Sequence, residues 1–268
     1  MTTTMTYPMQ DSLTMLRRNL RRMQRYPSLT LMLLGQPILL LLLFVYVFGG
    51  TLGNGLGSAA AGGTTGRAAY LGFVTPTILV ITITGAILGT AISVAMDMTQ
   101  GIMARFRTMS ISKASVLTGH VIGTVIQTGI GLAVVLGVAL LVGFRPSAGP
   151  VEWLTVIGLL LLVTLALTWM AVAFGLAAKS VETASNTPMI FILLPFLGSG
   201  FVPNDSLPDW LRWFAEYQPF TPVIETVRGL LLGTSVGGKG LLAVGWCVLF
   251  TITGYGWSKS LFRKERTR

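Results

Sequence analysis

Six stretches of this chain are apolar for the length of a bilayer crossing: residues 29–49, 70–95, 116–142, 152–176, 185–201 and 240–258. No Asp, Glu, Lys or Arg falls in the middle of any of them. A hydrocarbon layer of about 30 Å is crossed by a helix of about 20 residues. Lipid is therefore the solvent such a chain is built for. The rest of the composition agrees, since 10% charged residues in a chain 52% hydrophobic cannot cover a water-soluble globule. The fifth stretch is the shortest. It carries Pro188 and Pro195 and runs into Gly198, Ser199 and Gly200, so its far boundary is the least defined.

The basic residues fix the orientation. Arg17, Arg18, Arg21, Arg22 and Arg25 precede the first stretch, and Lys259, Arg263, Lys264, Arg266 and Arg268 follow the last. Arg105, Arg107 and Lys113 fall in the second connection and Lys179 in the fourth. With an even number of crossings all of these share one face. The formal net charge of +10 then belongs to that face, while the basic and acidic residues of the other face balance. Positive loops stay cytoplasmic. The sequence thus predicts an all-α membrane protein with six transmembrane helices and both termini inside. Its parts are a cytoplasmic amphipathic segment (1–28), a transmembrane domain (29–258) and a basic cytoplasmic tail (259–268). The basic excess is an orientation signal and implies no nucleic-acid partner. The first apolar run follows a long arginine-bearing polar stretch without a small-residue cleavage site, so it is expected to remain as an anchor.

Four segments outside these stretches carry patterns of their own. Leu13, Leu16, Leu20 and Met23 recur at helical spacing with Arg17, Arg21 and their neighbours opposite, which predicts a basic amphipathic helix lying in the inner interface. The inner loop from Asp97 to Ser115 offers Met98, Ile102, Met103, Phe106 and Met109 beside Arg105 and Arg107. An ordinary positive loop explains the arginines but not the apolar knobs, which suit docking on a soluble partner. In the last outer connection, Pro203, Pro208, Pro219 and Pro222 bound pieces of about ten residues, too short to cross. Asp209–Tyr217 and Thr221–Leu232 read as short re-entrant or interfacial helices; plain anchoring by Trp210, Trp213, Phe214, Tyr217 and Phe220 is the competing reading. The glycine-rich connection from Gly49 to Arg67 reads as a flexible linker.

Catalysis has little to work with. One cysteine, Cys247, and one histidine, His120, exclude an internal disulfide and paired-histidine metal chemistry. Residues 233–240 follow a phosphate-binding loop until Gly240 stands where Ser or Thr must hold magnesium, and Ser110-Ile111-Ser112-Lys113 lacks the companion elements of an acyl enzyme. Ion-coupled transporters carry their coupling ion on a mid-membrane ionisable group. These stretches have none, which points to energy supplied from elsewhere. Gln36, Thr82 and Gln127 are the polar groups able to line a path. The other threonines of the second stretch, 75, 77, 84 and 90, also qualify, with bonding to their own helix as the alternative. The steps Gly85, Gly89, Ser93 and Gly119, Gly123, Gln127, Gly131 read first as packing seams.

This order resembles the ABC-2 transporter permeases, and within them the daunorubicin-resistance-type drug exporters. The likeness is carried by Asp97–Gly123 (D-M-T-Q-G-I-M-A-R-F-R-T-M-S-I-S-K-A-S-V-L-T-G-H-V-I-G), by Phe196–Pro208 with L-G-S-G-F-V-P-N-D-S-L-P within it, and by Gln218–Gly233 (Q-P-F-T-P-V-I-E-T-V-R-G-L-L-L-G). Met109 departs from a common Pro, and His120 from a common Arg. The resemblance implies a permease subunit of the bacterial plasma membrane that is not itself an enzyme and holds no cofactor. Two such chains, identical or different, would join two cytosolic ABC ATPase subunits that bind ATP and magnesium. It makes Gln100, Ile102, Met103, Arg105, Phe106, Arg107, Thr108 and Met109 the ATPase-coupling loop, and Leu13, Leu16, Arg17, Leu20 and Arg21 part of the connecting helix. Efflux of hydrophobic or amphipathic compounds is the expected function. Export of a lipid or glycan precursor, or a non-transporting scaffold that recruits a cytosolic partner, are the alternatives.

Overall fold

The computed structural model describes residues 27–56, 65–99, 113–204 and 207–264, and among these all regular structure is helical. Helix α1 (Pro27–Leu43) passes through one π-helical turn, Phe44–Phe48, into α2 (Gly49–Gly55). Three long helices follow: α3 (Gly66–Thr99), α4 (Lys113–Val142) and α5 (Pro150–Ala177). The next apolar segment is broken into α6 (Val181–Asn186), α7 (Met189–Leu193) and a 3₁₀ turn, Leu194–Leu197. Then come α8 (Asp209–Tyr217), α9 (Phe220–Leu232) and α10 (Lys239–Lys264).

Five of these rods are long and apolar enough to cross a membrane: Leu34–Gly55, Gly66–Thr99, Gly119–Val142, Pro150–Ala177 and Lys239–Leu261. Val181–Leu197 is apolar but shorter. Helix α3 is the hub. Its central stretch from Ala69 to Thr84 is buried on every side, as expected of a helix that is hydrophobic all round and wrapped by others. The α4 and α10 helices show the other outcome of the same composition. Ile122, Ile126 and Ile130 on α4, and Leu241, Leu249 and Ile252 on α10, are turned outward, where hydrocarbon is the solvent that suits them.

Contacts between helices fix their directions. Thr90 and Asp97 of α3 meet Thr124 and His120 of α4, so these two helices are antiparallel. Gly175 near the end of α5 packs on Ala91 and Val94 of α3, and the two run parallel. Helix α10 runs parallel to α5: Val163, Ala166 and Leu167 face Trp246, Cys247 and Phe250, while further along Trp169 meets Gly254 and Tyr255. Two successive long helices can run parallel only if the chain between them travels back. The return is made by the broken segment Val181–Leu197, which leads to Gly200 and Phe201 beside Thr77 and Tyr70 of α3. The start of α1, both ends of the 100–112 connection and the end of α10 therefore lie at one end of the bundle.

Two sequence expectations are corrected. The connection after Gly49 is no flexible linker at its edges, because Gly49–Gly55 is helical and packed on the start of α3. A side chain at Gly53 would collide with the carbonyl of Gly66, and one at Gly49 would press on Arg67. The glycines there allow close approach rather than freedom. Asp97, expected to open the inner loop, lies within α3 and is buried.

Candidate functional site

The bundle has two polar centres, one near each end. The first lies where the broken segment stops. Gly198, Ser199 and Gly200 are outside any helix, so their carbonyls lack helical donors, a costly state inside a bilayer protein. Arg228 of α9 supplies the donors. Its Nη2 donates to Ser199 O at 2.7 Å and to Gly200 O at 3.5 Å, and its Nε to Phe73 O at 3.0 Å. The guanidinium carbon lies 3.6 Å from the centre of the Phe73 ring, a cation–π stack. Thr77 Oγ1 donates to Gly200 O at 2.7 Å and Tyr70 OH to Phe201 O at 3.3 Å, which ties the same turn to α3. Gly198 has no room for a side chain because Gln218 and Thr221 occupy that space.

Helix α9 brings Arg228 there by dipping into the bundle. Pro219, at its start, sits beside Ala166 and Leu167 near the middle of α5. At its end, Leu231 O accepts from Ser147 N in the loop before α5, and the helix closes on Gly233 in the left-handed conformation. Glu225, one turn before Arg228, is held by Lys239 Nζ at 2.6 Å, which pins α9 to the start of α10. The helices expected at Asp209–Tyr217 and from Thr221 onward are both present. Only Ala215 of α8 is buried, with Trp210 and Trp213 largely exposed. Stacking of Phe44 and Phe196 on Phe201 joins the π-helical turn of α1 to the same Gly198–Gly200 turn, the hinge of the broken segment.

The second centre lies at the opposite end. Asp97 and His120 are buried at the stem of the 100–112 connection, with Nε2 donating to Oδ2 at 3.0 Å. Below them Thr90 and Thr124 hydroxyls meet at 2.8 Å. Val94, Val121, Val172 and Leu176 form a small core of their own there, lined by Trp169 and Leu261. This core joins α3, α4, α5 and α10 at the stem.

The coupling-loop residues Gln100, Ile102, Met103, Arg105, Phe106, Arg107, Thr108 and Met109 lie outside the described residues, as do the connecting-helix residues Leu13, Leu16, Arg17, Leu20 and Arg21. Of the three path residues, Gln36 is exposed on α1 and Gln127 is half-buried on α4. Thr82 is buried and donates to Ile78 O of its own helix at 2.8 Å. Thr75, Thr84 and Thr90 bond back in the same way, whereas Thr77 reaches across to the hinge. A cleft among α5, α9 and α10 holds about 10 Å³, room for one water. Sequence reasoning missed Arg228, which had been placed in an outer connection. Its signal was a Glu-x-x-Arg pair inside a short apolar helix bounded by Pro219 and Gly233.

A bundle of apolar rods with a broken return segment and a short dipping helix defines a multi-pass helical membrane protein. Residues 10–232 match the family model described as "ABC-2 type transporter". The chain belongs to that family, and with it to the multi-pass proteins of the bacterial plasma membrane. It is 27% identical over 228 residues to the daunorubicin resistance ABC transporter permease protein DrrB1 of Streptomyces coeruleorubidus, covering 84% of this chain and 76% of that one. It is 26% identical over 146 residues to the probable doxorubicin resistance ABC transporter permease protein DrrC of Mycobacterium tuberculosis, covering 54% and 53% of the two chains.

Proposed function

We propose that this chain is the membrane-embedded half of an ATP-driven exporter of hydrophobic or amphipathic compounds, powered by a separate cytosolic ABC ATPase that binds ATP and magnesium. The observation that carries the reading is where the buried ionisable side chains sit. Among the described residues the buried charged or imidazole groups are Asp97, His120 and Arg228. All three hold helix ends or a hinge together, so they fix structure at sites where an ion-coupled carrier would need a mobile charge. Family membership points to the same external motor. The relatives' names, with their daunorubicin and doxorubicin resistance, support drugs of that kind as cargo.

In this reading the chain crosses the membrane six times, with Val181–Leu197 as the interrupted fifth crossing and both termini in the cytosol. Two permease chains pair around the path, and the 100–112 loop and the 13–25 segment meet the ATPase. Closure of the ATPase on ATP favours one of two arrangements of the paired bundles, and hydrolysis releases it.

The test replaces Arg105 and Phe106 together by Ala in the complex reconstituted with its ATPase. ATP-driven daunorubicin movement should be lost while membrane insertion stays normal. Unchanged transport in the double variant would overturn the docking role of this loop.

A further inference from the structure

We infer that Asp97 and His120 are positioning residues for energy coupling: they lock the stem of the 100–112 loop so that α3 and α4 move as one lever. The inference rests on the function proposed above. The connection leaves α3 after Thr99 and enters α4 at Lys113, so a push on it acts on two helix ends at once. Unless those ends are tied, the push spreads them apart and never reaches the far side of the bundle.

The tie is placed where such a force enters. Asp97 lies two residues before the end of α3, and its side chain is 5% exposed against 4% for His120. An ionised carboxylate only accepts, so the imidazole presents its Nε2–H to it. The next link, Thr90 to Thr124, is two turns further in along α3 and one turn along α4. Between these links Val94 and Val121 share one small core with Val172 and Leu176 of α5. Gly175 strengthens that core, because its missing side chain lets α5 approach within 2.7 Å of Ala91 O, measured from where a Cβ would stand. A displacement of the stem is thereby shared by α3, α4 and α5, and through Leu261 by α10.

The choice of polar groups supports this role over plain stability. A buried polar pair is often replaced by apolar side chains without loss of stability, and its best-attested use is to fix register. Two apolar side chains at positions 97 and 120 would fill the space and still let the helices slide. The pair permits one alignment.

The test uses the permease with its ATPase in lipid vesicles, with daunorubicin fluorescence reporting transport and phosphate release reporting hydrolysis. His120→Ala should lower daunorubicin moved per ATP by about tenfold, the effect of losing one buried hydrogen bond to a charged group on a two-state equilibrium. His120→Gln, which keeps an N–H donor, should restore the ratio to within about twofold. The double variant Asp97→Leu with His120→Phe separates the lever from folding. It should match the parent in insertion and thermal stability, yet hydrolyse ATP with little transport. If His120→Ala and the double variant both keep the parental ratio, the lever role is wrong although the functional reading stands. If the parent itself moves no daunorubicin on ATP addition, the functional reading fails, and this inference with it.

Discussion

Removing the guanidinium of Arg228 is the sharpest probe of the hinge. Arg228→Ala deletes the 3.0 Å bond to Phe73 O and the 2.7 Å bond to Ser199 O, together with the stack on Phe73. A hydrogen bond to a charged donor contributes about 1.5–3 kcal/mol, so the two short bonds amount to about 3–6 kcal/mol. Part of this is offset because a desolvated cation is no longer buried, an effective cost of several kcal/mol in its own right. The net loss should fall near the lower figure, about 3 kcal/mol. Arg228→Lys should be no better, since an ammonium keeps the desolvation cost but lacks the planar group that serves both carbonyls from separate nitrogens while stacking on Phe73. The assay is local. In a Cys247→Ala background, Ser199→Cys reports the opening of the hinge through its rate of maleimide labelling, because Ser199 is 1% exposed in the closed state. A local loss of about 3 kcal/mol raises the open population, and with it the labelling rate, by about a hundredfold. A rate within about threefold of the Arg228 parent would refute the claim that this residue holds the broken backbone together.

Other perturbations follow from single positions. Gly175→Leu should separate α5 from α3, since even a Cβ there comes within 2.7 Å of Ala91 O and Val94 Cβ; a loss of about 1–3 kcal/mol in thermal or denaturant unfolding is expected. Thr82→Val should leave stability and transport within about twofold of the parent, because the hydroxyl serves only its own turn through Ile78 O. Gln36→Leu on the exposed face of α1 should likewise preserve stability and should lower daunorubicin transport if that face meets the path in the paired assembly; unchanged transport would remove Gln36 from the path.

The long helices were legible because the bilayer constrains length and polarity together. Residues 70–95, 116–142, 152–176 and 240–258 each sit inside a helix, extended by at most four residues on either side except at the C-terminal end of α10. The break in the fifth stretch was signalled by Pro188 and Pro195. Where the backbone goes after such a break depends on which neighbour supplies donors, and no local pattern states that. Arg228 shows why. Counted among outer-loop charges, it looks like an ordinary surface arginine, and only the dip of α9 brings it beside Ser199 and Phe73. Asp97 and His120 are similar. Each is a lone polar residue near a span end, 23 positions apart, and they meet because α3 and α4 are antiparallel with a short connection. The stretch after Gly49 misled for the opposite reason: glycine suits a linker and a tight helix contact equally, and Gly53 against Gly66 is the second.

The most direct test of the external-motor claim places the purified permease in sealed vesicles with and without its ATPase, adds ATP and magnesium, and follows daunorubicin fluorescence. Transport should occur only with both proteins present and should persist after an ionophore has collapsed every ion gradient. Accumulation by the permease alone, driven by a proton or sodium gradient, would contradict it.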